Sequence, residues 1–291
     1  MLGLKWPVIL ITFATSVLVL VMALKQYLPS VTPLRGCLTA KMNNYWLCEQ
    51  SDNYVPLRDI SKVVVDAIVL SEDGSFFDHQ GFDWYEIQKS LQKNMTAMKY
   101  ARGASTITQQ LAKNVFLSPE KSMLRKLREA YLTVELEKQF SKSIILEKYL
   151  NVIEFGPNIY GVKAGAKYYF AKAPSEVNLV EAAFLAFVLP NPKEYQKSFE
   201  KKDLTEFARK RLQQIIRTMF RFGRISGEDR DAAAEYLGVV GWIDEKSEET
   251  NEQINDQLNT LEEALQVPVD EPEQLPEQVP EPFEVEEEHS D

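Results

Sequence analysis

Glu72 and Asp73 close a strongly apolar run, Val63-Val64-Val65-Asp66-Ala67-Ile68-Val69-Leu70, and Phe76, Phe77 and His79 follow within two helical turns. A carboxylate held against apolar walls has its pKa raised, which is how proteins prepare an acid or a base near neutral pH. Phe76 and Phe77 are the expected walls. The same stretch also reads as an amphipathic helix that ends at a solvated Glu-Asp pair, because most such pairs lie at the surface.

A second block runs Arg102-Gly103-Ala104-Ser105-Thr106-Ile107-Thr108-Gln109-Gln110-Leu111-Ala112-Lys113-Asn114. It crowds hydroxyls and amides into the opening of a helix whose apolar face carries Ile107, Leu111 and Val115. Thr106 with Gln109 fits a capping box, but such a box has no use for Ser105, Thr108, Gln110 or Lys113. A helix amino terminus with hydroxyls and a cation binds anions, phosphates above all. The third block, Lys121 to Ala130, opens a helix to about Phe140 with Leu124, Leu127, Tyr131 and Val134 as its expected buried stripe. Arg125 and Lys126 precede Glu129 by four and three residues, which makes them its neighbours on a helix. Surface ion pairs of about 0.3–0.5 kcal/mol each are one reading. Lys121, Arg125, Lys126 and Arg128 around one carboxylate also describe a pyrophosphate cradle.

The elements that must hold these blocks are mainly helical. From Leu57 to about Leu237 apolar residues recur at helical spacing, with few alternations of the β type. Phe82–Tyr100 carries Trp84, Ile87, Leu91, Met95 and Met98 beside Lys89, Lys93 and Lys99. That is a basic amphipathic helix, suited to a membrane face but expected to face the core. Phe207–Phe222 is a second basic helix, and Ser226 caps a final short one through Asp229, Ala232 and Tyr236. Asp229-Arg230-Asp231 looks like a metal-binding Asp-x-Asp, but in an Ala-rich helical run it is expected to be solvated.

The ends differ from this body. Pro7 to Leu24 is uncharged between Lys5 and Lys25, long enough to span a hydrocarbon core. Its length and the lack of an A-x-A site favour a retained anchor, amino terminus inside, over a cleaved signal peptide. The net charge of -10 is concentrated: from Asp244 onward there are 18 acids and one basic residue, leaving 25 acids against 32 basic residues, or +7, before it. A basic body beside a membrane suits anionic lipid or a phosphate-bearing substrate and, with an anchor, argues against nucleic acid. The Pro-rich acidic tail has too little apolar surface to fold and is expected to be disordered. Cys37 and Cys48 form a short-range disulfide if their side of the membrane is oxidising; otherwise they are two buried thiols.

Taken in order, the blocks resemble the lysozyme-like peptidoglycan glycosyltransferases of family 51, the monofunctional biosynthetic transglycosylases. Glu72-Asp73-x-x-Phe76-x-x-His79-x-Gly81 resembles the first family motif, Gly103 to Gln110 the second and Arg125-Lys126-x-x-Glu129 the third. Lys142 to Asn151 with Phe155-Gly156 and Tyr160-Gly161 is similar to the fourth. Glu181 to Ala186, ending at Pro190-Asn191-Pro192, is similar to the fifth. Lys121 departs from an Arg found in some relatives, keeping the charge without the bidentate fork. The resemblance implies a mainly α, lysozyme-like domain over residues 57–243, after an anchor (1–28) and a connector (29–56) and before an acidic tail (244–291). It implies polymerisation of lipid II into glycan strands, with lipid II, the growing glycan chain and inner-membrane lipids as partners. The catalytic domain would face the periplasm. Glu72 would be the base that deprotonates the attacking sugar hydroxyl, with inversion, and Glu129 the second catalytic carboxylate. Ser105, Thr106, Gln109, Gln110, Lys113, Lys121, Arg125, Lys126 and Arg128 would contact sugar and diphosphate. No cofactor is required, although a divalent cation, magnesium or manganese, fits beside Glu129.

Other functions explain less. A glycan-cleaving enzyme on a similar fold also uses two carboxylates, but a neutral glycan needs no cations around Glu129. Ser-x-x-Lys sequences at Ser118 and Ser90 suggest a transpeptidase, yet their order is wrong, no Lys-Thr-Gly exists and too little chain remains. A non-catalytic scaffold that recruits wall-synthesis or division proteins through the tail leaves Glu72 and Glu129 unexplained. The tail itself reads as a docking segment or as a solubilising one.

Overall fold

The computed structural model describes residues 11–13, 15–16, 29–97, 105–120, 122–200 and 204–238, without the side chains of 91–97, Ser198 and Glu200. Most of the expected anchor, Arg102, Gly103, Ala104, Lys121 and the acidic tail lie outside them. Among the described residues no helix is long and apolar enough to cross a membrane. All described elements belong to the unit that ends at Gly241.

Three helices make the apolar centre. Helix α1 (Lys62–Glu72) buries Val64, Ala67, Ile68 and Val69, one face at helical spacing. Helices α2 (Trp84–Ala97), α3 (Ile107–Phe116), α4 (Met123–Gln139), α5 (Lys142–Leu150) and α6 (Val162–Phe170) follow. Then come α7 (Leu179–Val188), two four-residue turns α8 (Pro192–Tyr195) and α9 (Lys197–Glu200), α10 (Glu206–Arg221) and α11 (Gly227–Tyr236). Every residue of α7 from Ala182 to Val188 is buried, as expected of a helix apolar all round. It packs between α1 and α10, which also touch each other. A second cluster sets α3 against α4 and α5. Two short antiparallel hairpins complete the body: β1 (Leu38–Ala40) with β2 (Tyr45–Leu47), and β3 (Glu154–Gly156) with β4 (Ile159–Tyr160).

Three expectations are corrected. The segment read as a connector is folded onto the body: Val31, Leu34, Ala40 and Leu47 are buried, and Asn151 binds Val55 through both its N–H and its carbonyl. The stripe expected to be buried on α4 faces out instead, with Leu124 and Leu127 exposed and Met123 83% exposed. The buried face is Glu129, Leu132, Thr133 and Leu136, which has the same helical spacing but carries a charge. Helix α2 does not begin as a core-facing helix either, because Trp84 and Tyr85 are each 72% exposed.

Candidate active site

Helix α1 ends at Asp73, and that ending builds the site. Glu72 is the last helical residue and Asp73 the cap. The Asp73 carboxylate is buried, accepting from the Ile107 backbone N–H at 2.9 Å and facing His79 Nε2 at 2.8 Å. Ile107 opens α3, so Asp73 joins the end of one helix to the start of the other. Thr106 and Gln109 form the capping box of α3. Both are buried, and the Thr106 hydroxyl also donates to the Gly81 carbonyl at 2.8 Å. They orient α3 rather than face an open surface, whereas Ser105 beside them is exposed. Gly81 must be glycine: its φ is +91°, and a Cβ would lie 2.7 Å from Thr133 Cγ2.

With α3 so fixed, Gln110 reaches Glu72. Its Nε2 donates to Glu72 Oε2 at 2.8 Å, while its Oε1 accepts from the Tyr149 hydroxyl at 3.2 Å. Tyr149 therefore sets which end of the amide faces the carboxylate. Burial raises the Tyr149 pKa, and the nearby Glu72 and Asp73 raise it further, so the phenol keeps its proton and donates. Burial raises the Glu72 carboxyl above its ordinary range; Gln110, Arg211 and Lys113 oppose that shift and Asp73 adds to it. Phe76 is buried, but Phe77 is 56% exposed and is not the wall expected of it.

Lys113 lies one turn beyond Gln110. Burial lowers its pKa; Glu129 raises it, Arg125 and Lys126 lower it, and Glu72 raises it. It is thus the electrostatic link between the two carboxylates. Glu129 is buried on α4, with Arg125 Nη1 at 3.4 Å from one oxygen and Lys126 Nζ on the other. Among the described residues, Arg125 Nε is buried without a hydrogen-bond partner, a donor in place for an anionic ligand. Arg128 is exposed on the same helix. A divalent ion at Glu129 would compete with both cations, and among the described residues no group of three or more His, Cys, Asp or Glu side chains is placed to hold one.

A cleft of about 510 Å³ opens beside this machinery, lined by Gln110, Lys113, Asn114 and Tyr149 and walled by both hairpins. Its lining also includes Glu154 and Lys193. The Glu154 carboxyl is raised by burial and lowered again by Lys193. Residues 39–220 match the Transglycosylase family.

The chain belongs to that family.

Relatives named "Biosynthetic peptidoglycan transglycosylase" agree. That of Aromatoleum aromaticum is 48% identical over 151 residues, 52% of this chain and 66% of the relative. That of Azoarcus sp. is 49% identical over 146 residues, 50% of this chain and 63% of the relative. That of Methylobacillus flagellatus is 39% identical over 192 residues, 66% of this chain and 82% of the relative. The chain thus spans just under two thirds of the length of the first two. The family match begins inside β1, consistent with the first hairpin belonging to the folded domain. Sequence reading gave no role to Tyr149, Arg211, Met42 or Asn43. Tyr149 lies in the fourth motif and Arg211 in a basic helix, but nothing in their spacing points at Glu72. Cys37 and Cys48 are joined by a disulfide.

Proposed function

We propose that this protein polymerises lipid II into peptidoglycan glycan strands. The observation that carries the reading is one continuous arrangement: a partly buried carboxylate aligned by Gln110 and Tyr149, joined through Lys113 to a cation-rich second carboxylate. In the proposed step Glu72 takes the proton from the acceptor sugar hydroxyl. The freed oxygen bonds to the anomeric carbon of the donor as the bond from that carbon to the pyrophosphate oxygen breaks. The electron pair leaves with the pyrophosphate, and the anomeric configuration inverts. An anionic diphosphate needs no protonating acid, but it does need positive charge held in place beforehand. Lys113, Arg125 and Lys126 supply it, Arg125 through its unpartnered Nε. Glu129 fixes those two helical cations, and Ser105 and Arg128 stand exposed where a substrate can reach them. Both Glu129 oxygens face cations of the same helix, so in this reading the chain's own side chains supply the positive charge.

On this reading residues 7–24 anchor the protein in the inner membrane with the catalytic domain outside, where a lipid-linked substrate is presented. The acidic segment after Asp244 is a docking tail for wall-synthesis or division proteins. The test offers purified protein both lipid II and finished glycan strands. Longer strands with released undecaprenyl pyrophosphate are expected. Shortened strands, with lipid II untouched, would mean that a hydrolase stands on this fold.

A further inference from the structure

The β1–β2 hairpin carries none of the charged groups around Glu72, yet its turn is one wall of the cleft. Met42 and Asn43 line the same cavity as Gln110 and Lys113. Two backbone bonds tie the turn to α3: Lys41 N–H donates to the Val115 carbonyl at 3.0 Å and Met42 N–H to the Asn114 carbonyl at 3.1 Å. Those carbonyls are among the ones a helix leaves without internal partners at its end, so the turn caps the helix that bears Gln110 and Lys113. The Tyr45 ring packs against that of Tyr160 on the second hairpin, with centroids 5.6 Å apart. Strands of three residues make a weak hairpin by themselves. Here the disulfide closes the hairpin immediately outside the Leu38–Leu47 pair.

We propose that the Cys37–Cys48 disulfide is a positioning element for glycan binding: it holds the turn 41–44 so that Met42 and Asn43 contact the sugar chain in the cleft. The inference rests on the transglycosylase reading. Asn43 Oδ1 accepts from Tyr45 N–H at 3.3 Å, which leaves the amide Nδ2 available to donate to a sugar hydroxyl or amide oxygen. The Met42 thioether offers an apolar surface to a pyranose ring. Cys48 is buried but Cys37 is exposed, so a small reductant can reach the bond.

The experiment compares the full-length protein oxidised, after reduction by dithiothreitol (which becomes a cyclic disulfide and leaves two thiols), and reoxidised. The readouts are kcat and KM for lipid II and hydrogen exchange at the Lys41 and Met42 amides. Reduction is expected to speed exchange at both amides and raise KM about fivefold, the worth of about one net hydrogen bond. It is expected to leave kcat unchanged, as loss of uniform binding does, and reoxidation should restore KM. Asn43→Ala with the disulfide intact should raise KM alike while speeding exchange at Lys41 and Met42 less than reduction does, since it removes only the bond to Tyr45 N–H. Unchanged KM in the reduced protein, or a general loss of fold with Asn43→Ala silent, overturns the proposal and leaves the bridge a stability staple. If the oxidised wild type makes no polymer at all, the transglycosylase reading fails first and takes the proposal with it.

Discussion

Asp73→Asn asks how the site is held together. The Asp73 side chain is 2% exposed, and its two oxygens serve two donors, the Ile107 backbone N–H and His79 Nε2. His79 Nδ1 accepts from the Gly81 N–H at 3.1 Å, so the proton of the neutral ring sits on Nε2. An amide at position 73 keeps one acceptor and adds an N–H donor. If its oxygen stays on Ile107, the new donor meets the His79 Nε2 proton. Moving that proton to Nδ1 only transfers the conflict to Gly81. One buried donor therefore loses its acceptor whichever way the network adjusts, at a cost of about 1–3 kcal/mol. Asp73→Ala strands both donors and should cost about twice as much. Denaturant unfolding reads this directly as a lower midpoint at unchanged slope. Because the Ile107 bond joins α1 to α3, and so Glu72 to Gln110, kcat should fall in the same order. An Asn variant within about 0.5 kcal/mol of wild type, the range of a neutral surface change, would refute the reasoning.

Activity should rise with pH as Glu72, raised by burial, loses its proton, and fall at alkaline pH as Lys113, lowered by burial, loses its own. Glu129→Gln removes a charge that raises Lys113, so in any residual activity the alkaline limb should move to lower pH while the acid limb stays. An unmoved alkaline limb would exclude Lys113 as the titrating group. Glu72→Gln should raise the unfolding midpoint at neutral pH. A carboxyl with a raised folded pKa costs stability while ionised, and the cost fades as pH falls through that pKa. The gain should therefore vanish below about pH 4, under the unfolded carboxyl pKa; a gain that persisted there would have another origin. Gly81→Ala forces a close contact at positive φ, whereas Gly223→Ala at φ +64° meets nothing within 4 Å. The first should cost about 1–3 kcal/mol of packing strain beyond the second, measured by thermal unfolding.

The helical body and the chemistry-bearing blocks were legible because they depend on local spacing. The capping box of Thr106 and Gln109, the ion pairs of Glu129 and the Ser226 cap all join residues three or four apart. What the chain could not reveal lies across elements. Tyr149 sets the Gln110 amide from 39 residues away, and Asp73 holds Ile107 from 34 away. The error on α4 has a related cause. Two stripes there have helical spacing, and the less apolar one is buried, with Arg125 and Lys126 pairing Glu129 from the more exposed side of the helix. In the hairpin of residues 38–47, long-range bonds to α3 and the Cys37–Cys48 bridge make an ordered wall from a segment whose composition reads as a connector.

The central claim is that Glu72 is the base, with the leaving group looked after by the cations. The direct measurement is turnover of lipid II by wild type and Glu72→Gln, with lipid II binding measured on the same preparations. The Gln variant should bind as wild type does and lose about 10²–10⁴-fold in kcat, the contribution of a positioned general base. Glu72→Gln turning over at the wild-type rate would contradict the account.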